Sequence, residues 1–186
     1  MTTARGHPRE WVADACARHG EEAVLAWCAE LLGGAAPESR DLDVHLDLDL
    51  IGGPGATRMV RDSGAEYFPR VWAARAMRYA WRESGPAGAA AQAALVVGLR
   101  DPHWRVREMS AKVVALHEVG AAADALAPLL SDEVPRVQAA AARAIGEIGE
   151  HEHLAAVDAA VTDPDGMVAR AAERALDRLR ERLDLT

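Results

Sequence analysis

Apolar and polar positions alternate along the C-terminal half of this chain with the 3.6-residue period of helices buried on one side. Val137, Ala140, Ala141, Ala144, Ile145 and Ile148 fall at i, i+3, i+4, i+7, i+8 and i+11, which is one helix face. The same phrase occurs three times, as LRDPHWRVREMSAKVVAL, LSDEVPRVQAAAARAIGEI and VTDPDGMVARAAERALDRL. Asp101, Asp132 and Asp163 are 31 residues apart, and so are Val106, Val137 and Val168. A fixed period of this length predicts stacked repeats in place of one central core. Each repeat reads as two antiparallel helices, the first ending in apolar residues such as Ala125, Leu126, Leu129 and Leu130.

The turn before each second helix has its own chemistry. Asp101, Asp132 and Asp163 stand where an N-cap carboxylate would accept backbone N–H groups, and Pro102, Pro135 and Pro164 stand where a missing N–H costs little. Upstream, Phe68-Pro69-Arg70-Val71 matches Val134-Pro135-Arg136-Val137, and Ala73, Ala76, Met77, Ala80 and Trp81 follow at core spacing, which predicts a degenerate earlier repeat. Two further helices are expected over 9–19 and 21–32, a short one over 56–62, and a charged terminal helix over 167–183.

The Asp, the Val-Arg step of Val106-Arg107, the alanine-rich helix and the stops at Gly146 and Gly149 resemble HEAT repeats of the short kind first noted in phycobilisome lyases. The resemblance covers residues 54–183. It implies an all-α, right-handed α-solenoid of antiparallel helix pairs, and a role as an interaction scaffold more often than as an enzyme. It also implies a bond between neighbouring repeats from the Asp to the Arg after Val, for which Asp101 and Arg107 are the candidates. Gln138 and Ala169 replace that Arg in the last two copies. The expected organisation is a single solenoid domain, with residues 1–53 as an atypical N-terminal cap and 54–186 as repeats.

One segment breaks the helical pattern. Between Ser39 and Ile51, Leu42, Val44, Leu46, Leu48 and Leu50 alternate with Asp41, Asp43, His45, Asp47 and Asp49, a period of two that predicts an extended segment covering the first repeat. Metal binding is the alternative. Same-face residues on a strand are about 6.5 to 7 Å apart, too far to meet at one ion without a bend, and the glycine and terminal Glu of a calcium loop are missing.

Charge adds a candidate surface. The chain is acidic overall, with a net charge of −8. Residues 1–66 hold 6 basic and 12 acidic residues, whereas 67–112 hold 8 basic and 3 acidic. Arg75, Arg78 and Arg82 fall at i, i+3 and i+7 of a predicted helix, flanked by Trp72 and Tyr79, and the next repeat adds Trp104, Arg105 and Arg107. Second helices of a solenoid commonly line one side, and Arg with Trp and Tyr is the composition of binding hot spots. These eight residues are the candidate binding site, and a protein partner of acidic or phosphate character is its complement. The structural alternative is a solvated Arg stripe with both tryptophans packed between repeats.

Other chemistry is thinly represented. No nucleophile elbow or zinc-protease helix occurs, and Cys16 and Cys28 read as small apolar core residues. His151-Glu152-His153 reads as a turn. The reading is a noncatalytic module with no cofactor, no catalytic residue and no metal. An enzyme or small-ligand binder is the alternative, and nucleic-acid binding is disfavoured by the net charge and by Lys112 being the only lysine. No apolar run approaches a membrane span and no apolar leader opens the chain, so a cytoplasmic location is expected.

Overall fold

The computed structural model describes residues 6–37 and 46–185, and among them the protein is all-α, with no strand. Its contacts divide the chain into two compact units, 1–98 and 99–186. The boundary falls between the first and second helices of the 85–117 repeat.

The first unit is built around α2 (Glu21–Leu32), which packs against α1 (Pro8–His19), α5 (Tyr67–Ala76) and α6 (Gly85–Gly98). Its apolar faces, including Val24, Leu25, Trp27, Cys28, Leu31 and Leu32, are buried. Each such Val or Leu side chain stabilises the fold by about 1.5 to 3 kcal/mol. α1 starts in a capping box in which His7 Nδ1 accepts from Arg9 N–H and Glu10 accepts from His7 N–H. Alanines of α6, such as Ala87 and Ala91, are buried and let its backbone approach α2 closely.

Two short helices, α3 (Asp49–Gly52) and α4 (Ala56–Ser63), connect α2 to α5. They correct the extended reading of 39–51 where it can be followed. Asp41, Leu42, Asp43, Val44 and His45 lie outside the described residues. From Leu46 onward, Leu46 and Leu48 are buried as alternation requires, but Leu48 has helical angles (φ −56°, ψ −24°) and the chain winds into α3. Asp47 starts that turn by accepting from Asp49 N–H at 3.0 Å, and Ile51 is buried at i+3 from Leu48. Gly53 has φ +94°, and a Cβ there would lie 2.3 Å from the Trp11 ring, so the chain turns beneath that indole.

The second unit stacks the three repeated second helices, α7 (Trp104–His117), α9 (Pro135–Ile148) and α11 (Gly166–Arg182), with α9 in the middle. Its core is the predicted face of α9 together with Val106, Val113, Val168, Leu176 and Leu179. At Gly146 an added Cβ would lie 2.9 Å from Ala175 Cα, so α9 and α11 touch backbone to backbone.

The first helices of these repeats are fragmentary. Residues 120–131 form α8 (Ala123–Leu126) between 3₁₀ turns at Gly120–Ala122 and Ala127–Ser131, because Pro128 supplies no N–H to continue the helix. A 3₁₀ turn at His151–His153 precedes α10 (Leu154–Ala160).

Candidate functional site

The repeated aspartates are not N-caps. Each closes an Asx turn one step earlier: Asp101 accepts from His103 N–H at 2.8 Å, Asp132 from Val134 N–H at 2.9 Å and Asp163 from Asp165 N–H at 2.8 Å. The residue each one positions is the N-cap itself, His103, Val134 or Asp165. Of these, His103 accepts from Arg105 N–H at 3.3 Å and Asp165 from Met167 N–H at 2.8 Å.

Arg107 uses the middle turn twice over. Its Nε and Nη2 donate to the Asp132 carboxylate at 2.7 and 2.9 Å, while Nη1 donates to the backbone oxygens of Asp101 and Pro102 at 3.0 and 3.1 Å. The inter-repeat bond is therefore from Arg107 to the Asp of the following repeat, and to the carbonyl of its own Asp101. The Asp132 hydrogen bond raises the guanidinium's pKa against the opposing effect of burial. Gln138 occupies the position of Arg107 one repeat on and donates to Asp132 O at 2.6 Å, keeping the carbonyl bond and losing the reach to the next carboxylate.

The eight candidate binding residues fall in both units. In the first, Trp72 is buried and stacked on Phe68 with ring centroids 5.3 Å apart, so its indole is packed away from solvent. Arg75 is part-buried and donates to Ile51 O at 2.7 Å, tying down the C-terminal end of α3. Burial lowers its pKa, with Tyr79 opposing.

The predicted Arg stripe is not one helix face. α5 ends at Ala76, where Arg78 N–H and Tyr79 N–H turn back to Arg75 O and Ala76 O, so Arg78 and Arg82 lie beyond the helix. Arg78 is exposed, Tyr79 meets His7 edge-on and Arg82 pairs with Glu21 at 3.5 Å.

In the second unit the candidates gain partners that reading along a single helix did not supply. The guanidiniums of Arg105 and Arg136 lie 4.8 and 5.7 Å from the centre of the Trp104 ring, one from α7 and the other from α9. Such contacts stabilise by about 0.5 to 1 kcal/mol at exposed sites. Arg136 is held by the buried carboxylate of Glu108 at 3.1 Å, and Glu108 also takes Lys112 at 2.8 Å. Arg107, the last candidate, is buried in its own ion pair and belongs to the scaffold under this surface.

Lys112 recurs at its repeat position as Arg143 and Arg174, each 31 residues on. Both arginines are exposed, and among the described residues neither has a carboxylate within ion-pair distance. Burial lowers the Arg143 pKa, Arg174 lowers it further and Glu108 opposes both. Arg136, Arg143 and Arg174 lie outside the basic segment of 67–112 that reading charge along the chain picks out. The 31-residue period, applied to charged as well as apolar positions, is the signal that finds the cations.

The acids of the 39–51 segment that are described act as backbone acceptors. Asp49 accepts from Gly55 N–H and Thr57 N–H, both at 2.8 Å, and Asp47 takes the Thr57 hydroxyl. Among the described residues no group of three or more His, Cys, Asp or Glu side chains is placed to hold a metal ion. His153 is buried, with Nδ1 accepting from Glu150 N–H at 3.1 Å. Cys28 is buried, and burial, with Cys16 adding, pushes its thiol far above its ordinary pKa. No helix among the described residues is long and apolar enough to cross a membrane.

The sequence model for HEAT repeats matches residues 70–177, more than half of the chain. No curated protein and no solved structure matches it.

Proposed function

The chain belongs to the HEAT-repeat family, and from that premise we propose that it is a noncatalytic interaction module that binds an acidic segment of a protein partner. The surface is the exposed face of the second helices in residues 99–186. The observation that carries the reading is Trp104 with two arginines over its ring, Arg105 from its own helix and Arg136 from the next. Arg and Trp are the residues on which binding energy concentrates. Glu108, itself buried, pairs with Arg136 at 3.1 Å and so holds part of that exposed side chain before binding. One buried carboxylate facing Lys112 and Arg136 leaves this patch positive on an otherwise acidic chain.

Quantitative affinity capture tests the reading by comparing the intact chain with an Arg105→Ala, Arg136→Gln variant whose fold is verified by circular dichroism. The reading predicts an acidic partner enriched on the intact chain and reduced about tenfold on the variant, as loss of about 1.4 kcal/mol would give. Equal capture by both chains, or no enriched partner, contradicts it.

A further inference from the structure

The second helices α9 and α11 run parallel in one register, and three contacts fix it. An added Cβ at Gly146 would lie 2.9 Å from Ala175 Cα, Arg178 Nε lies 3.2 Å from Glu147 Oε2, and Arg182 Nη1 donates to Gly149 O at 2.9 Å. Residues 31 apart, as Glu147 and Arg178 are, therefore reach each other across the seam. Arg143 precedes Glu147 by four residues on α9, and Arg174 precedes Arg178 by four on α11. Residues four apart share a helix face. One turn before the pair of Glu147 and Arg178, the seam is thus flanked by two arginines in place of an acid and a base.

Both of these side chains are exposed, and among the described residues no carboxylate lies within ion-pair distance of either. Burial lowers the Arg143 pKa and Arg174 lowers it further, as a like charge held close does, with Glu108 opposing. The acids on either side are already engaged. Glu147 is taken by Arg178, and towards α7 the buried Glu108 carboxylate takes Lys112 at 2.8 Å and Arg136 at 3.1 Å. At Arg143 and Arg174 an incoming anion meets two guanidiniums that it need not win from another partner.

Two such groups at one seam match a doubly charged anion better than a single carboxylate. A phosphate monoester carries about −1.5 to −2 charge at neutral pH and three strong acceptor oxygens. Guanidinium forks meet such oxygens in bidentate, charge-assisted bonds. A polyanionic strand is a poorer match, because its grip needs several phosphate contacts in succession. The next turn of the seam offers it Glu147, and residues 99–186 hold 16 acidic against 11 basic residues. Two turns before Arg174, on the same face, exposed Met167 offers an apolar contact to a residue flanking the phosphate, which a free phosphate ion lacks.

We propose that Arg143 and Arg174 together bind the phosphate of a phosphorylated serine or threonine within the partner's acidic segment. This deepens the interaction-module reading and rests on it. The two arginines come from successive repeats, so the site exists only where α9 and α11 are stacked.

The test is an NMR titration of the full chain that follows the arginine Nε–Hε signals, with three acidic, leucine-flanked peptides that differ at one residue. That residue is phosphoserine, glutamate or serine. The phosphoserine peptide should shift the Arg143 and Arg174 signals saturably and bind about tenfold tighter than the glutamate peptide, the gain of one added charge-assisted hydrogen bond. Arg143→Ala and Arg174→Ala, each verified as folded by circular dichroism, should both lower the phosphoserine peptide to the affinity of the glutamate peptide. Arg180→Ala, which removes an arginine paired with Asp158 at 3.7 Å, should leave the preference intact. Equal affinity for the phosphoserine and glutamate peptides, no measurable binding of the phosphoserine peptide, or a preference that survives loss of either arginine overturns the proposal. So does loss of the preference in Arg180→Ala, which would make it an effect of net charge alone. Inorganic phosphate binding as tightly as the peptide would assign the arginines to a free ion, and tighter binding of a single-stranded oligonucleotide would assign them to nucleic acid; either result overturns it. If the preference is missing while capture by the intact chain still depends on Arg105 and Arg136, only the phosphate assignment fails. If capture fails too, the interaction-module reading itself falls.

Discussion

Arg107 of one repeat and Asp132 of the next are locked by two hydrogen bonds, Nε to Oδ2 at 2.7 Å and Nη2 to Oδ1 at 2.9 Å, with both side chains buried. The same Oδ1 accepts from Val134 N–H, so one carboxylate both shapes the turn that starts α9 and receives the cation from α7. A buried guanidinium left without its anion is costly. Asp132→Asn keeps an acceptor for Val134 and removes the charge, and it should destabilise the protein by about 2 to 3 kcal/mol in urea unfolding. A double-mutant cycle with Arg107→Leu should give a coupling of more than about 1 kcal/mol. Additive single effects would mean that the pair is not coupled.

The ladder stops at Gln138, and the register shows how to extend it. Residue 138 stands 25 residues before Asp163, as Arg107 does before Asp132. Gln138 also leaves its buried Oε1 without a hydrogen-bond partner. Gln138→Arg should therefore raise stability by about 1 kcal/mol through a charge-assisted bond to Asp163. The gain should vanish when Asp163→Asn is added.

At Gly146 two effects oppose each other. Alanine is favoured over glycine in a helix by about 1 kcal/mol. Against that, its Cβ would sit 2.9 Å from the Ala175 Cα, and backbone must move to admit it. Overpacking of this kind costs about 1 to 3 kcal/mol, so Gly146→Ala should be destabilising on balance. A raised melting temperature would show that α9 and α11 separate freely.

Asp49 links acid sensitivity to the loop between α3 and α4. Burial acts to raise its pKa, but the backbone N–H groups of Thr57 and Gly55 outweigh that and hold the carboxyl below its ordinary value. A depressed folded-state pKa means that the stabilisation is fully present above the unfolded value of about 3.9 and is lost as pH falls through the lower folded value. Asp49→Asn should thus be less stable than the parent at pH 7, and the difference should shrink as the pH is lowered below about 4. A difference independent of pH would place the effect of the substitution outside the carboxylate's ionisation.

Particular residues show what was legible beforehand. The bounds of α2 follow from Gly20 and from the apolar face through Leu32, and the three second helices follow from the 31-residue period, because a buried face constrains every turn. The first helices were less legible, since the apolar run through Leu130 gives no weight to the N–H missing at Pro128. The aspartates were assigned to the right turn and the wrong bond, because an acid before a helix does not reveal which N–H it accepts. Leu46 and Leu48 obeyed the alternation, and Leu48 with Ile51 then obeyed a helical spacing that the alternation concealed. The arginine stripe presumed a helix through Arg82, whereas α5 closes with tight turns at Arg78 and Tyr79. Lys112, Arg143 and Arg174 lie 31 residues apart, a separation that a charge pattern along one helix does not span.

On the proposed function, the partner lies on the second-helix face of residues 99–186. Met167 is 37% exposed and occupies, on α11, the position that Arg105 and Arg136 hold on α7 and α9. A photo-crosslinking amino acid at Met167, with a second placed separately at exposed Ala121 in the first-helix segment, distinguishes this face from the opposite one. Irradiation in the native cell should join an acidic protein to the Met167 position and leave the Ala121 position bare. Crosslinking from Ala121 with none from Met167 would contradict it.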